Sequence, residues 1–129
     1  MPGFDRTNQG IMVMDQQQII NTVKEYAKLL NSYFLVRMVV LYGSYSRGTA
    51  ETDSDIDVAI FIDREPGKSY LDSLALLYRL RSTYDSRLEP NLFYFDSGGY
   101  EPASFENEIL NKGIVILPSG QTLPVPINN

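Results

Sequence analysis

The sequence predicts an α/β (α+β) fold, in which helices cover one face of a mixed β-sheet of about four strands. Two patterns support this prediction. Short apolar, β-branched runs indicate buried strands, and segments with apolar residues three and four positions apart indicate amphipathic helices. These segments alternate in the order α-β-turn-β-α-β-α-β, which is typical of a layered sandwich and leaves the second face of the sheet for a functional site.

The first half of the chain contains one predicted helix followed by two predicted strands. Asp15 is the expected N-cap of a helix that continues to about Tyr33 and carries one apolar face. The run Leu35 to Tyr42 is apolar and β-branched and stops at Gly43, as buried strands commonly do. A second such run, Asp55 to Ile62, follows after a short polar connection, so we expect two strands joined by that connection.

The second half of the chain adds two predicted helices and two predicted strands. Leucines at helical spacing indicate a helix from Ser69 to about Tyr84. Arg87 to Phe95 indicates a third strand, and its Pro90 indicates an edge position or a bulge, because proline cannot donate to a ladder. Ser104 to Lys112 is predicted to be a short helix, and Ile114 to Leu117 a brief final strand.

The length and composition are those of one compact domain. The chain has 129 residues, of which 43% are hydrophobic, and this is too short for two ordinary domains. We assign that domain to residues 15–117. Residues 1–14 lack clear periodicity and are expected to form a loose arm, and the proline-rich tail 118–129 is expected to be mobile or to lie over a partner.

The residue content excludes several kinds of chemistry. Without cysteine or histidine the chain has no disulfides, thiolate nucleophiles, imidazole bases or usual zinc ligands, so carboxylates and hydroxyls must carry any reaction. The formal net charge of −5, with no Lys/Arg cluster, argues against extended nucleic-acid binding as the function. No apolar run is long enough to span a membrane and no leader is visible, so we expect a cytoplasmic protein.

Gly43 and Ser44 stand where the first predicted strand ends, and the sequence SYSRG then indicates a helical turn that begins at Ser44. Such a junction presents backbone N–H groups and a hydroxyl to an anion, and glycine lets a phosphate approach the backbone closely. The pattern therefore indicates a phosphate-binding turn. Taken alone it is equally compatible with an ordinary Gly-Ser turn.

Asp55 and Asp57 are two positions apart on the second predicted strand. Both carboxylates should therefore project from one face, while Ile56 and Val58 point into the core. Neighbouring carboxylates repel each other unless a cation lies between them, and Mg²⁺ takes carboxylate and phosphate oxygens as ligands. The alternative for an isolated pair is a solvated strand start, so the adjacent phosphate-binding turn is what favours a metal site.

The run GSYSRGTAETDSDID carries a family resemblance. It has the G-S, ten residues, D-x-D signature of the DNA polymerase beta-like nucleotidyltransferase superfamily. It is most similar to the minimal nucleotidyltransferase (MNT) type, as in HEPN/MNT toxin–antitoxin pairs. The match covers Leu41 to Ile62 closely and the rest of the chain in element order and length. It implies that residues 15–117 form a minimal nucleotidyltransferase domain.

The resemblance implies a third carboxylate on a neighbouring strand, and Glu89 is the candidate by position. Asp85 lies before the third strand and Asp96 at its far end, so both are poorer alternatives. An exposed glutamate beside a proline, without a role in the site, is the competing interpretation. The family more often has aspartate here, and Ser46 replaces an alanine common in its Gly-Ser turn. The first departure bears on base catalysis.

Three further residues are candidates for the nucleotide site. Arg47 lies one helical turn beyond Ser44 and is expected either to reach a phosphate or to pair with an acidic residue of the connecting loop, Asp53 or Glu51. Tyr45 directly follows the phosphate-binding turn and is a candidate for lining the nucleotide pocket. Lys68 could help to neutralise a triphosphate, although a solvated loop lysine is the simpler interpretation.

The resemblance implies an activity and a set of partners. Two Mg²⁺ ions, held by Asp55, Asp57 and Glu89, would support transfer of a nucleoside monophosphate, with AMP from ATP as the expected case. The acceptor would be a hydroxyl of a HEPN-family partner protein, because the chain has no room for an acceptor-binding domain. One alternative is a non-catalytic nucleotide-binding module that neutralises its partner by direct binding. Another is a nucleotidyltransferase that modifies a small molecule such as an antibiotic.

Overall fold

The computed structural model of the chain describes the backbone of residues 2–51 and 54–118 and the side chains of residues 16–51 and 54–118. Helices and strands alternate largely as predicted. The helices are α1 (Pro2–Leu30), α2 (Ser44–Arg47), α3 (Tyr70–Arg81) and α4 (Phe105–Lys112). The strands are β1 (Val36–Tyr42), β2 (Ile56–Ile62), β3 (Leu88–Tyr94) and β4 (Ile114–Leu117).

The four strands form one mixed sheet in the order β3-β2-β1-β4. Strand β1 is antiparallel to both of its neighbours, whereas β2 and β3 are parallel. The predicted mixed sheet of four strands is therefore confirmed. Strand β3 lies at an edge, which accommodates Pro90 because the outer side of an edge strand needs no ladder donor.

Helices α1 and α3 cover one face of the sheet. Their buried side chains include Val23, Tyr26 and Leu30 of α1 and Leu77 of α3, and these pack against every second residue of the strands. Burial of this apolar surface is the main favourable term for the fold. The buried Tyr26 hydroxyl donates a hydrogen bond to the Leu77 carbonyl at 2.8 Å, which links the two helices.

Helix α4 lies on the opposite face, and this corrects the expectation that all helices share one side. Its Ile109 and Leu110 belong to a second apolar cluster with Met38, Val40 and Phe61. The alternation of strand side chains places these apolar residues on the second face, where they would otherwise meet water. Only the part of this face beyond α4 remains for a site.

The helix boundaries show where local sequence signals were sufficient. Ser69 caps α3 by accepting a hydrogen bond from the Asp72 amide, and Ser104 caps α4 in the same way. Helix α1 was predicted to begin at Asp15, but its backbone is helical from Pro2. Proline is tolerated in the first helical turn, and no later proline interrupts the hydrogen bonds of this helix.

Two predictions concern the ends of the chain and its relation to membranes. Of the predicted tail 118–129, the structure describes Pro118 alone, and the remainder lies outside the described residues. No helix in the described ranges has both the length and the apolar character needed to cross a membrane.

Candidate active site

The candidate site lies at one edge of the sheet, where β1 ends and both β2 and β3 begin. Tyr42 is the register partner of Asp57 across the β1/β2 pair, and Glu89 is the register partner of Asp57 across the β2/β3 pair. Directly opposed residues on neighbouring strands point to the same face. The sheet therefore brings Tyr42, Asp57 and Glu89 side by side.

The alternation predicted for β2 is confirmed. Ile56 and Val58 are fully buried in the core beneath α1 and α3, while Asp57 between them is only half-buried and faces the opposite side. Asp55 was predicted to open this strand, but β2 begins one residue later, and Asp55 is exposed just before it. Asp57 therefore lies within the sheet, whereas Asp55 lies just before it.

Several charges act on the Asp57 carboxyl at once. Partial burial raises its pKa above the ordinary value, and the negative charges of Asp55 and Glu89 raise it further. The Arg47 guanidinium acts in the opposite direction. Asp55, Glu89 and Arg47 therefore lie close enough to Asp57 for their charges to act on its carboxyl.

Gly43 lies in close contact with the Asp57 carboxylate. A Cβ atom at Gly43 would stand 2.2 Å from Asp57 Oδ2, a distance that no real side chain could occupy. Gly43 also has φ +75°, a backbone region that residues with a side chain adopt only with strain. The glycine of the predicted phosphate-binding turn is therefore required for the turn to approach Asp57 on β2 this closely.

Helix α2 begins directly after Gly43, as the helical turn predicted from SYSRG requires. The amides of Ser46 and Arg47 donate to the Gly43 carbonyl, and the Ser46 hydroxyl donates to the same oxygen at 2.8 Å. The first amides of a helix have no partner within it, which here applies to Ser44 and Tyr45. The turn thus presents two amides at the end where an anion would bind.

Glu89 is held by a tyrosine of α3. The Tyr78 hydroxyl donates a 2.7 Å hydrogen bond to Glu89 Oε1, reaching it past the outer side of the edge strand. This bond, together with burial, raises the pKa of Tyr78 to about 12. Two other α3 side chains bond to β3 in a comparable way, since Tyr70 donates to the Leu92 carbonyl and Arg81 to the Leu88 carbonyl.

Tyr42 is a site residue that the sequence analysis missed. Its ring stands beside Asp57, and its hydroxyl forms a hydrogen bond with the side-chain amide of Asn91 on β3. Burial raises the pKa of Tyr42, the bond from Asn91 lowers it, and the charges of Asp57 and Glu89 raise it. The available signal was its position, since residues 38, 40 and 42 of β1 alternate onto the face that carries Asp57.

Neither the predicted pairing of Arg47 with Glu51 nor the predicted place of Tyr45 in a nucleotide pocket is found among the described residues. Arg47 is exposed, and in the described part of the chain it forms no ion pair with Glu51; Asp53 lies outside the described residues. Tyr45 does not line a nucleotide pocket, because its ring is buried in the core beneath α1 and α3. Its hydroxyl donates to the Glu51 carbonyl and accepts a 3.0 Å hydrogen bond from Arg87, which leads into β3.

Lys68 lies far from the candidate site. Its ammonium group pairs with Glu65 at 2.9 Å, in the loop that follows the end of β2, whereas Asp57 is near the start of that strand. The interpretation as a solvated loop lysine is therefore correct, and a direct role in neutralising a triphosphate is excluded by position.

Comparison with known proteins identifies the family. The model of the family described as Polymerase beta, Nucleotidyltransferase matches residues 17–121, which is most of the chain. The chain belongs to this nucleotidyltransferase family. The resemblance stated from the Gly-Ser turn and the aspartate pair is thereby confirmed, and so is the prediction of an enzyme of this class.

Two archaeal relatives of this nucleotidyltransferase come from Methanocaldococcus jannaschii. The protein named "Putative protein adenylyltransferase MJ0141" is 29% identical over 104 residues, covering 77% of the chain and 99% of the relative. The protein named "Putative protein adenylyltransferase MJ1379" is 30% identical over 60 residues, covering 46% of the chain and 60% of that relative.

A solved structure supports the fold of the nucleotidyltransferase. The crystal structure of a putative nucleotidyltransferase from Sulfolobus solfataricus matches with a TM-score of 0.59 and 15% sequence identity. The match covers 81% of the chain and 84% of that structure. At this level of identity the comparison bears on the fold alone, and it agrees with the mixed four-stranded sheet.

The donor set of the nucleotidyltransferase suits a hard divalent cation. Asp55, Asp57 and Glu89 offer carboxylate oxygens, the ligands that Mg²⁺ prefers. The pKa of Asp57 is raised first by burial and then by the charges of Asp55 and Glu89, and a cation would relieve the repulsion between these charges. Within residues 16–51 and 54–118, no three acidic side chains already converge as a metal-binding group. Glu89 accepts a hydrogen bond from Tyr78 through Oε1.

Proposed function

We propose that this chain is a Mg²⁺-dependent nucleotidyltransferase that moves AMP from ATP to a hydroxyl of a partner protein. The observation that carries the proposal is the seating of the Asp57 carboxylate against Gly43, with Glu89 beside it in the sheet. This contact joins the turn proposed to bind phosphate to the strand that carries the proposed metal ligand Asp57. Such a combination suits a reaction in which a phosphoryl group must be both held and neutralised.

Two Mg²⁺ ions would be held by Asp55, Asp57 and Glu89. When bound, they would lower the pKa of the attacking hydroxyl and neutralise charge on the nucleotide phosphates. The contribution of the protein is to fix the carboxylates. Asp57 is fixed by the β2 ladder and by Gly43, and Glu89 is oriented by Tyr78. Asp55 lies outside the ladder and can adjust its position more readily.

The remaining residues would position the triphosphate and receive the proton. The Ser44 amide and hydroxyl and the Arg47 guanidinium would hold the phosphates beyond the reacting one. The acceptor oxygen forms a bond to the α-phosphorus as the bond from that phosphorus to the bridging oxygen breaks, and pyrophosphate leaves. The proton of the acceptor hydroxyl passes to Glu89, which is the carboxylate of the set that is proposed to act as base.

The acceptor is proposed to be a protein of the HEPN family, with this chain as the antitoxin of a toxin–antitoxin pair in the cytoplasm. The family resemblance suggests the partner, and the names of both Methanocaldococcus relatives point to protein as the acceptor class. The acidic net charge of −5 also suits a protein acceptor better than a nucleic acid.

A labelling experiment tests the proposed reaction. The purified chain is incubated with the partner protein, Mg²⁺ and ATP labelled either at the α- or at the γ-phosphate. Label from the α-position should appear on the partner, label from the γ-position should not, and chelation of Mg²⁺ should stop the reaction. Transfer of the γ-label would contradict the proposal, as would label on an aminoglycoside in place of the protein.

The second candidate function is a binding module that neutralises its partner without catalysis. It is favoured by the engagement of Glu89 with Tyr78, since the three carboxylates do not converge as a metal-binding group in the described ranges. The variant Asp57→Asn distinguishes the two functions. If this variant neutralises the partner as fully as the wild-type protein does, neutralisation does not depend on transfer.

Tyr78→Phe tests whether the orientation of Glu89 matters. Loss of the hydroxyl should weaken Mg²⁺ binding and lower transfer by about 10- to 100-fold, the range for partners that orient metal ligands. Mg²⁺ affinity is measured by calorimetry and transfer by the α-label. Tyr70→Phe is the matched control, because it removes a hydrogen bond from the same helix to the same strand without touching a carboxylate. Equal losses in both variants would assign Tyr78 a purely structural role.

A further inference from the structure

A groove runs between α2 and α4 on the face of the sheet that carries Asp57. Its volume is about 220 Å³. One wall is formed by Tyr42, Gly43 and Arg47, and the other by residues of α4. Because Gly43 also contacts the Asp57 carboxylate, the groove opens directly from the candidate active site.

Helix α4 presents one continuous face to the groove. Phe105, Ile109 and Lys112 line it at spacings of four and three residues, which places them on the same side of the helix. Over these seven positions the helix rises by about 10 Å, at 1.5 Å per residue. The α4 wall therefore begins with an aromatic ring and ends with a positive charge, and Ile109 and the acidic Glu108 line it between them.

The aromatic end of the groove is preformed. Phe105 is 52% exposed, although its ring packs edge-on against Tyr42 at 5.8 Å and against Phe93 at 6.0 Å between ring centroids. Two ring contacts fix the orientation of a side chain that still shows half of its surface to solvent. An exposed, oriented ring beside a nucleotidyl-transfer site is suited to packing against a base or sugar.

The charged residues that line the groove are two cations and one carboxylate, Glu108. Arg47 lies on the α2 side and Lys112 on the α4 side. Lys112 Nζ is 3.8 Å from Glu108 Oε2, and both side chains are largely exposed, so this surface ion pair is weak. A polyphosphate brings more negative charge than Glu108 and could take over the Lys112 ammonium.

We propose that the donor nucleotide lies along α4, with its nucleoside against Phe105 and its terminal phosphates between Arg47 and Lys112. This inference rests on the proposed function and adds α4 to it as a substrate-binding element. It assigns the nucleoside to a surface of this chain, so that a partner protein need not supply the surface that binds the nucleoside. The volume is below the roughly 300 to 1,000 Å³ of pockets that enclose a whole drug-sized ligand, so the nucleotide would remain partly exposed.

Equilibrium binding tests this assignment without any chemical step. The two probes are α,β-methylene ATP, which cannot release its α-phosphoryl group, and inorganic tripolyphosphate, each with Mg²⁺. Phe105→Ala should weaken binding of the nucleotide analogue by about 5- to 100-fold, the range for loss of aromatic stacking, and leave tripolyphosphate binding unchanged. Lys112→Ala should weaken both probes by about three- to tenfold, as expected for an exposed phosphate contact.

The chain offers a matched control for the lysine. Lys28 has the same side-chain exposure of 75% as Lys112, and it also pairs with a glutamate on its own helix, Glu25 at 3.4 Å. It lies on α1, across the sheet from the groove. Lys28→Ala should leave both affinities unchanged. If it weakens binding as much as Lys112→Ala, the effect comes from net charge and the assignment to the groove fails.

Two further measurements distinguish loss of the ring contact in Phe105→Ala from loss of folding. Phe105→Tyr keeps the ring and should bind the nucleotide analogue like the wild-type protein. In the wild-type chain labelled at phenylalanine, the NMR signals of the Phe105 ring should shift on addition of the nucleotide analogue and not on addition of tripolyphosphate. Equal loss of both probes in Phe105→Ala, or unshifted Phe105 signals, would overturn the inference.

The outcomes also distinguish failure of this inference from failure of the proposed function. If the chain binds the analogue through Phe105 and Lys112 but transfers no label, the groove assignment holds and adenylate transfer fails. If label is transferred and the α4 variants bind both probes normally, transfer holds and the groove assignment fails.

Discussion

Asp57→Asn should lower nucleotidyl transfer by more than about 100-fold, because even residues that only orient metal ligands contribute 10- to 100-fold. Asp57 is the carboxylate that the sheet, Gly43 and the neighbouring charges all converge on. The measurement is transfer of label from α-labelled ATP to the partner. Asp63→Asn is the control, since Asp63 stands just beyond the opposite end of β2 and makes an exposed ion pair with Arg37.

The same substitution should not weaken the fold. The pKa of Asp57 is raised in the folded protein, so its protonated form stabilises the fold at pH values below the unfolded pKa of about 3.9. That contribution is lost as the pH rises through the folded-state pKa. Urea unfolding at pH 7 should therefore show Asp57→Asn to be at least as stable as the wild-type protein. A clear loss of stability at pH 7 would mean that the carboxylate has a structural role.

Gly43→Ala should lower transfer by about 100-fold, the effect expected when a reacting group is displaced by about 1 Å. The new methyl group would collide with Asp57 Oδ2, which must move away from the position proposed for metal binding. The positive φ of Gly43 adds strain of about 1 to 3 kcal/mol in the free energy of unfolding. Transfer assays, calorimetric Mg²⁺ titration and urea unfolding measure the three consequences.

Gly48→Ala is a closely matched control. Gly48 ends α2 with the same φ of +75°, but a Cβ atom there meets nothing within 4 Å. The variant should therefore show a loss of stability of about 1 to 2 kcal/mol from backbone strain, with transfer close to that of the wild-type protein. If Gly43→Ala and Gly48→Ala lower transfer equally, the close approach of Gly43 to Asp57 has no role in catalysis.

The parts of the site that depend on local sequence were predictable. The alternation of β2 determines that Asp57 faces away from Ile56 and Val58, and the structure confirms it. The turn after β1 follows from its glycine and from the polar residues behind it. These features need only the two-residue period of a strand and the conformational freedom of glycine.

The parts that depend on packing between distant elements were not predictable. Tyr78 meets Glu89 because α3 lies along the edge strand, and nothing in the periodicity of either segment specifies that contact. Tyr45 has the polar surroundings of a pocket residue in sequence, yet its ring turns into the core. The side of the sheet that α4 covers depends on the connection after β3, and the apolar residues on both faces allowed either choice.

The groove between α2 and α4 was likewise not predictable from the sequence. Phe105 and Lys112 form one wall of it, and α2 forms the other, although more than fifty residues separate the two helices in sequence. A lone exposed phenylalanine and a lone lysine in a helix carry no signal individually. They gain meaning only when the sheet places α4 beside Gly43.

The most direct test of adenylate transfer is the intact mass of the protein that co-purifies with this chain. The mass should increase by one or more adenylate groups when the wild-type chain is present, and this increase should disappear when the chain carries Asp57→Asn. The modified residue should carry a hydroxyl. A partner that stays bound to the wild-type chain with an unchanged mass, in the presence of ATP and Mg²⁺, would contradict transfer as the function of the site.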